Sequence, residues 1–419
     1  MRILLVNTSE RTGGAAIAAN RLMNALNHNG QEARMLVRDK TTQNDLVTAL
    51  PNPSLNHFRF VMERAEIYVH NRFKKHRIFE VDHATHGMDI TSLPEFKKAD
   101  VIHLHWVNQG MLSLGDITRI LEKKKPLVWT LHDMWPCTGI CHYARDCNRW
   151  KSGCGCCPIL LKGAPRDLSY RTYLRKQHAF SKGSIQFVAC SDWLTNIARQ
   201  APLLHGHEIS SIPNPINTHL YSPQDKHTAR KHLGLPDDKF ILLFVAYKAT
   251  DPIKGINYFQ DALRMYCEAH SEMKDRLHVV VVGREATLLR DTFPCPTTTF
   301  EYVSDDRTLR DLYNAATLLM MPTVQDNLPN TIVESMACGL PCIGFNVGGL
   351  PQMIENNVSG YLARHKDTQD FAHCIEKALD DEKLKSLSTA ARQKAMQIFS
   401  EEAVAKQYLE IYEKALQKV

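Results

Sequence analysis

The feature that most restricts this chain is a strand, loop and helix order that runs from its start and begins again past its middle. Arg2–Asn7 reads as a buried strand; TSERTGGAA follows as a loop, and AAIAANRLMNALNHNG as a helix ended by Gly30. From residue 239 the order restarts, with KFILLFVAY as strand, ATDPIKG as loop and INYFQDALRMYCEAH as helix. ARMLVR, VIHLHW, PLVWTLH and IQFVACS add strands to the first half, and LHVVVVG, TLLMMP and PCIGF to the second. Continuous apolar runs alternating with helices imply parallel sheets covered on both faces. At 419 residues the chain exceeds one ordinary core and suits two domains. The proline-bearing connector IPNPINTHLYSP breaks the pattern at 212–223. The expected architecture is α/β, with two Rossmann-like doubly wound domains, 1–213 and 214–400, facing across a cleft. The amphipathic helix of 401–419 is expected to cross back to the first domain.

Composition narrows the function. With 44% hydrophobic and 23% charged residues the chain is globular, and no apolar run approaches the roughly 18 residues of a membrane span. MRILLVN leads into a loop and carries no signal-peptide pattern, so a cytoplasmic protein is expected. Residues 1–215 hold 28 Lys and Arg against 18 Asp and Glu, and the remainder 23 against 27. The first half therefore favours an anionic partner. Within it, residues 56–80 mix aromatic, aliphatic and basic side chains. They read either as an amphipathic helix on the anionic inner face of a membrane or as a core helix with a solvated basic face. No nucleic-acid-reading motif accompanies the charge.

The stretch QDNLPNTIVESMACGLPCIGF, 325–345, concentrates the chemistry. It leaves the strand TLLMMP as a loop and enters a helix near Pro329–Asn330. A helix start presents unpaired N–H groups and positive dipole, which suits a phosphate. Asn327, Leu328, Pro329, Asn330 and Thr331 are thus candidate donor-binding positions. Glu334, one turn in, could accept bonds from ribose hydroxyls, and Asp326 could hold sugar hydroxyls or brace the loop. A capped surface helix is the plainer alternative.

This stretch resembles the E-x7-E region of glycosyltransferase family 4, whose members are retaining enzymes of the GT-B fold. It is most similar to the bacterial exopolysaccharide and colanic-acid type that carries DNLPN. Glu334 matches the second acid of that pattern, and Asp326 stands where the first is usually Glu. In FVAYKATDPIKG, Lys254 and Gly255 match the family's Lys-Gly, and Lys248 falls where Arg is common. The two lysines would neutralise the donor diphosphate and the leaving group. Gly13 and Gly14, in the first strand-to-helix loop, match a loop that covers the donor diphosphate. They do not form G-x-G-x-x-G, and no acid follows at dinucleotide spacing, which disfavours NAD. His132 in TLHDMWP matches a histidine that faces the reacting sugar. His103 and His105 alternate on one strand and are expected to support it. Gly283 in VVGREA and Val303 in FEYVSDDRTLRDLY match the segments that approach a nucleobase.

The resemblance implies a retaining hexosyltransferase that needs no catalytic cofactor or divalent metal. It would use a UDP- or GDP-linked sugar and a glycan or lipid-linked acceptor in polysaccharide assembly. The second domain would hold the donor and the first the acceptor, with front-face attack by the acceptor. A nucleotide-sugar epimerase and a non-catalytic nucleotide-binding scaffold are the alternatives.

Six cysteines crowd into 137–157. Cys141, Cys147, Cys154 and Cys157, at C-x5-C-x6-C-x2-C spacing, are candidate ligands of a structural zinc. Cys137, Cys156 and His142 leave that choice ambiguous, and reduced thiols without metal are the plainer reading. The insertion 137–158 lies directly after His132.

Overall fold

The computed structural model describes residues 1–418, and these divide into two compact units. The first comprises Met1–Pro213 and the C-terminal segment from Val404; the second is Asn214–Ala403.

In the first unit seven strands form one parallel sheet: β1 Arg2–Ser9, β2 Glu32–Asp39, β3 Val47–Ala49, β4 Val101–Leu104, β5 Leu127–Leu131, β6 Gln186–Ala189 and β7 Glu208–Ser211. Their order is β3-β2-β1-β4-β5-β6-β7. Alternate residues of β1 feed opposite cores. Leu4 and Val6 join Leu36, Ile102, Trp129 and Phe187 on one face, whereas Ile3 and Leu5 join Met35, Val101 and Val128 on the other. Burial on both faces is why these strands read as unbroken apolar runs. The second face is closed in part by the C-terminal helix Glu401–Leu416, which contributes Val404, Tyr408, Ile411 and Tyr412 to that core.

The second unit repeats the plan with six strands: β8 Phe240–Lys248, β9 Leu277–Arg284, β10 Thr297–Phe300, β11 Leu318–Met321, β12 Cys342–Phe345 and β13 Gly360–Ala363. They are parallel in the order β10-β9-β8-β11-β12-β13. Phe259 and Leu263 of helix Ile256–Ala269 and Phe371 and Ile375 of helix Thr368–Ala378 share a core with Leu242, Phe244, Val279 and Phe345 of the sheet. Each unit is thus a Rossmann-like domain, and together they have the make-up of a GT-B fold.

Strand order reverses between β1 and β4 in the first sheet, and between β8 and β11 in the second. Ligands of open α/β sheets sit beyond the carboxyl ends of the strands at such a reversal. Gly13 follows β1, and Lys254 and Asp326 lie in the loops leaving β8 and β11.

The aromatic and basic segment 56–80 is helical only as far as His70. Helix Pro53–His70 turns Glu63 and Arg64 inward, where Arg64 donates to Asp82 Oδ2 at 2.9 Å. Phe58, Val61 and Val69 stay exposed, as do Phe73 and Phe79 after the helix. No helix among the described residues is long and apolar enough to cross a membrane.

Candidate functional site

In the second domain the loops leaving β8 and β11 are stitched together. Val324 N–H donates to Ile253 O at 2.9 Å, and the Thr323 hydroxyl to the same oxygen at 3.0 Å. Gly255, at φ 70°, lies so near that a Cβ there would stand 2.0 Å from Pro322 O. This close approach brings Lys254 to Asp326, with Nζ 2.6 Å from Oδ2. Burial draws the ammonium down, but attraction and hydrogen bonding by Asp326 outweigh it, so the Lys254 pKa is raised. The lysine is charged throughout the neutral range.

Asp326 is braced on its other side. Its Oδ1 accepts Asn327 N–H at 3.0 Å, and its carbonyl accepts Gly349 N–H at 3.2 Å. Gly348 is pressed against that carbonyl, where a Cβ would lie 1.9 Å away. One of the amides expected to meet a phosphate, that of Asn327, is therefore turned toward its neighbour's carboxylate. The helix follows from Asn330 to Ala337, with Pro329 as N-cap and no capping side chain. Thr331, in its first turn, has a buried hydroxyl with no partner. A polar atom left unpaired at a helix start costs stability unless a ligand or water meets it. Asn327, Leu328 and Pro329 are themselves buried, so this loop is a fixed floor.

Glu334 is 4% exposed and accepts the Tyr313 hydroxyl at 2.6 Å. Burial and the adjacent carboxylate together push the tyrosine pKa up, so it stays a donor. Lys248 pairs with Glu285 at 2.8 Å and is half exposed. It stands at the exit of β8 and pairs with Glu285 rather than with Asp326. Gly283, at φ 143°, sits against β8, where a Cβ would lie 2.0 Å from Ala246 O. The glycine is required by that backbone contact. Val303 lies in the loop after β10. Beside it the sequence reading missed an aromatic group: the Tyr302 and Tyr247 rings meet edge to face at 5.3 Å, with the Arg284 guanidinium 4.6 Å over Tyr247. Their only signal in sequence was their place just before or after strand ends.

In the first domain, Gly13 at φ 91° caps helix Gly14–His28, and a Cβ at Gly13 would meet nothing within 4 Å. The loop is open above the helix start. His132 follows β5 and sits in a chain of imidazoles. His105 Nδ1 is 3.0 Å from His132 Nε2, and the His103 and His105 rings are 4.2 Å apart. His103 is held by Thr130 Oγ1 at 2.8 Å and Tyr412 OH at 2.7 Å. His105 Nε2 is buried without a partner. An unpaired lone pair is tolerated better than an unpaired N–H, which assigns the His105 proton to Nδ1 and makes His132 Nε2 the acceptor. Asp133, beside His132, is occupied by Trp106 Nε1, Trp135 N and His142 Nδ1 at 2.7–2.8 Å. It is a brace.

Burial lowers the His132 pKa to about 4 and that of His103 to about 3, and carries His105 well below its ordinary value. The unfolded chain binds these protons near 6.5. Their contribution to stability is therefore complete above that pH and is lost as pH falls toward 4. The expected slope is about 1.4 kcal/mol per pH unit for each fully buried histidine. Urea midpoints of wild type and His103→Gln at pH 7 and pH 5 check this. The variant should lose less stability between the two pH values, and equal losses would show that His103 does not titrate on unfolding.

Cys141, Cys147, Cys154 and Cys157 line one cavity of about 20 Å³, together with Ile140, Trp150 and Ile159; Cys137 and Cys156 are outside it. No disulfide joins any cysteine among the described residues. Nor do three or more His, Cys, Asp or Glu side chains among those residues stand in ready-made ligating arrangement.

Residues 239–381 match the family model described as glycosyl transferases group 1. The chain is 31% identical over 222 residues to D-inositol 3-phosphate glycosyltransferase of Thermobispora bispora, a match covering 50% of this chain and 51% of that protein. It is 25% identical over 210 residues to N-acetyl-alpha-D-glucosaminyl L-malate synthase of Bacillus anthracis, covering 49% and 53% respectively. The chain spans about half the length of the curated relatives it matches. Among solved structures, sucrose-phosphate synthase of Thermosynechococcus elongatus superposes with TM-score 0.66 at 17% identity, over 100% of both chains. Anabaena HepE in complex with UDP-glucose does so with TM-score 0.63 at 16% identity, again over 100% of both. Likeness at this level is one of fold.

Proposed function

We propose that this protein is a retaining glycosyltransferase that takes a hexose from a UDP- or GDP-linked donor. The observation that carries the reading is the Lys254–Asp326 pair, fixed at the strand-order reversal beside a helix start whose Thr331 hydroxyl has no partner. Residues 239–381, which match a glycosyltransferase family model, contain all of these groups. The Anabaena HepE structures with UDP and UDP-glucose support a nucleotide-sugar donor.

In this reading the helix start and Lys254 receive the diphosphate, and Lys248 adds a second cation. Their charge offsets the charge that grows on the departing nucleotide. Asp326 positions Lys254 and the sugar hydroxyls. Glu334, held by Tyr313, accepts the ribose hydroxyls. Tyr247 and Tyr302 offer faces on which a base can stack, near Gly283 and Val303. His132 stays neutral and hydrogen-bonds the reacting sugar, and His105 fixes which ring nitrogen does so. Gly13 and Gly14 leave room for the diphosphate or acceptor. The acceptor attacks from the side the nucleotide leaves, and the departing phosphate takes its proton.

The acceptor is a glycan or lipid-linked saccharide of polysaccharide assembly. The exposed Phe58, Val61, Val69, Phe73 and Phe79, interspersed with Arg72, Lys74 and Lys75, suit the surface of an anionic membrane. A zinc at the four cysteines would fasten the loop after His132 and take no part in transfer.

Calorimetric titration with UDP, GDP, ADP and dTDP, without magnesium, tests the donor site. One diphosphate should bind selectively, and binding of none would overturn the reading. Glu334→Gln keeps an acceptor for Tyr313 but removes the charge. It should weaken that nucleotide roughly 10- to 100-fold, as expected for lost charge-assisted hydrogen bonds. Unchanged affinity would remove Glu334 from the ribose.

A further inference from the structure

The segment between Thr138 and Asp167 has almost no regular structure: the 3-10 turn Arg149–Ser152 and an isolated bridge from Cys141 to Val81 are its parts. Loops of this length are uncommon inside a compact domain. Yet Ile140, Cys141, Ala144, Trp150, Cys157 and Ile159 are buried in the core of the first domain. The loop is also strained. Gly153, Cys154, Gly155 and Cys156 take φ of 108°, 60°, 96° and 46° in succession, and two of the four are not glycine. A segment that is irregular and strained, yet held in the core, is suited to a fastening.

We infer that Cys141, Cys147, Cys154 and Cys157 are the four ligands of a structural zinc ion. The fold settles the ambiguity left by the sequence. These four thiols border one cavity of about 20 Å³, from which Cys137 and Cys156 are absent. His142 is committed to Asp133. The cavity is on the scale of a single small sphere, and its other walls include Ile140, Ala144, Trp150 and Ile159.

Backbone donors face two of these sulfurs. Gly139 N–H donates to Cys154 Sγ at 3.2 Å. While the Thr138 hydroxyl donates to the Cys141 carbonyl oxygen at 2.6 Å, the backbone N–H groups of Ile159 and Leu160 are directed at the Cys157 sulfur. Donors of this kind orient metal-bound sulfur and temper its charge. The Lys176 ammonium is wholly buried, donates to Trp135 O and Thr138 O, and lies 3.4 Å from the centre of the Trp135 ring. Burial draws its pKa down to about 7, and negative charge at Cys141 and Cys154 would oppose that and favour the ammonium. A zinc ion with four thiolates carries a net double negative charge, which a buried ammonium partly offsets.

Sulfur-only, tetrahedral ligation selects zinc over calcium or magnesium. On binding, each thiol gives its proton to solvent and forms a metal–sulfur bond of about 2.3 Å, which draws the four side chains onto a common centre.

The test uses the full chain, purified without added metal. Elemental analysis should find about one zinc per chain, released in step with titration of the thiols by a mercurial. Exchange with cobalt(II) should give sulfur-to-metal charge-transfer bands and the visible spectrum of a tetrahedral site. Cys147→Ser and Cys154→Ser should lose at least about tenfold in zinc content, while Cys156→Ser retains it. A folded, metal-free wild type would overturn the inference. So would iron in place of zinc, or zinc content that survives Cys154→Ser. If the ligand variants fail to fold, the cobalt spectrum of the wild type decides, and absence of thiolate charge transfer sinks the site.

Discussion

Lys254→Ala should lower kcat/KM for sugar transfer by about two to three orders of magnitude while the protein stays folded. The side chain is 30% exposed and ends on Asp326, so its removal leaves no large cavity. What it removes is a cation 2.6 Å from an acid that is only 14% exposed. In the proposed reaction that cation meets a leaving group whose charge increases toward the transition state. The loss should therefore fall more on kcat than on KM. Lys254→Arg should recover part of the rate, since it restores charge but not the geometry of a compact ammonium. Because the Lys254 pKa is raised, its deprotonation should not limit activity at neutral or mildly alkaline pH. Steady-state kinetics with the nucleotide sugar chosen by titration would decide the matter. A kcat/KM within about threefold of wild type would take Lys254 out of the chemistry.

The second large effect is expected one residue further on. Gly255→Ala should cost about 2–5 kcal/mol and abolish measurable nucleotide binding. Two penalties combine there. A φ of 70° is unfavourable for any residue with a Cβ, and the added carbon would lie 2.0 Å from Pro322 O. The only relief is to part the loops leaving β8 and β11, which separates Lys254 from Asp326. Gly234→Ala is the control. Its φ is 65°, but a Cβ there meets nothing within 4 Å, so only the backbone penalty of about 1 kcal/mol applies. Urea unfolding and nucleotide titration of both variants separate strain from collision. Equal destabilisation in the two would show that the close approach of the loops does not matter.

Periodicity in the chain made the central strands legible and left the outer ones obscure. β1, β2, β4, β5 and β6, and β8, β9, β11 and β12, are apolar runs buried on both faces. The strands that escaped notice are β3, β7, β10 and β13, which are the edges of the two sheets. VTA, EISS, TTTF and GYLA are short, and three of the four are largely half-buried or exposed. An edge strand has one partner and less to bury, so it need not be apolar.

The site divides along a similar line. Asp326 and Glu334 were visible because turn residues and a helix start frame them in the sequence, and Lys254 through the family resemblance of its loop. Their partners were not. Tyr313 reaches Glu334 from 21 residues away, and Tyr412 reaches His103 from 309 residues away. Arg284, Tyr247 and Tyr302 gather from three strand ends, and no local spacing reports that. His103 and His105 could be placed on one side of a strand, but the direction of the proton between His105 and His132 depends on an unpartnered nitrogen deep in the fold.

The sequence by itself determined the two parallel α/β domains, because burial on both faces imposes unbroken apolar runs that repeat with the helices. It also determined which loops carry charge and glycine. Tertiary structure alone decided which of those groups meet: that Lys254 rather than Lys248 pairs with Asp326, that Cys141, Cys147, Cys154 and Cys157 share a cavity without Cys137 or Cys156, and that the C-terminal helix completes the core beneath His103. The reason is physical. Local patterns fix what each segment buries, whereas pairing is fixed by the order in which distant strands lie side by side.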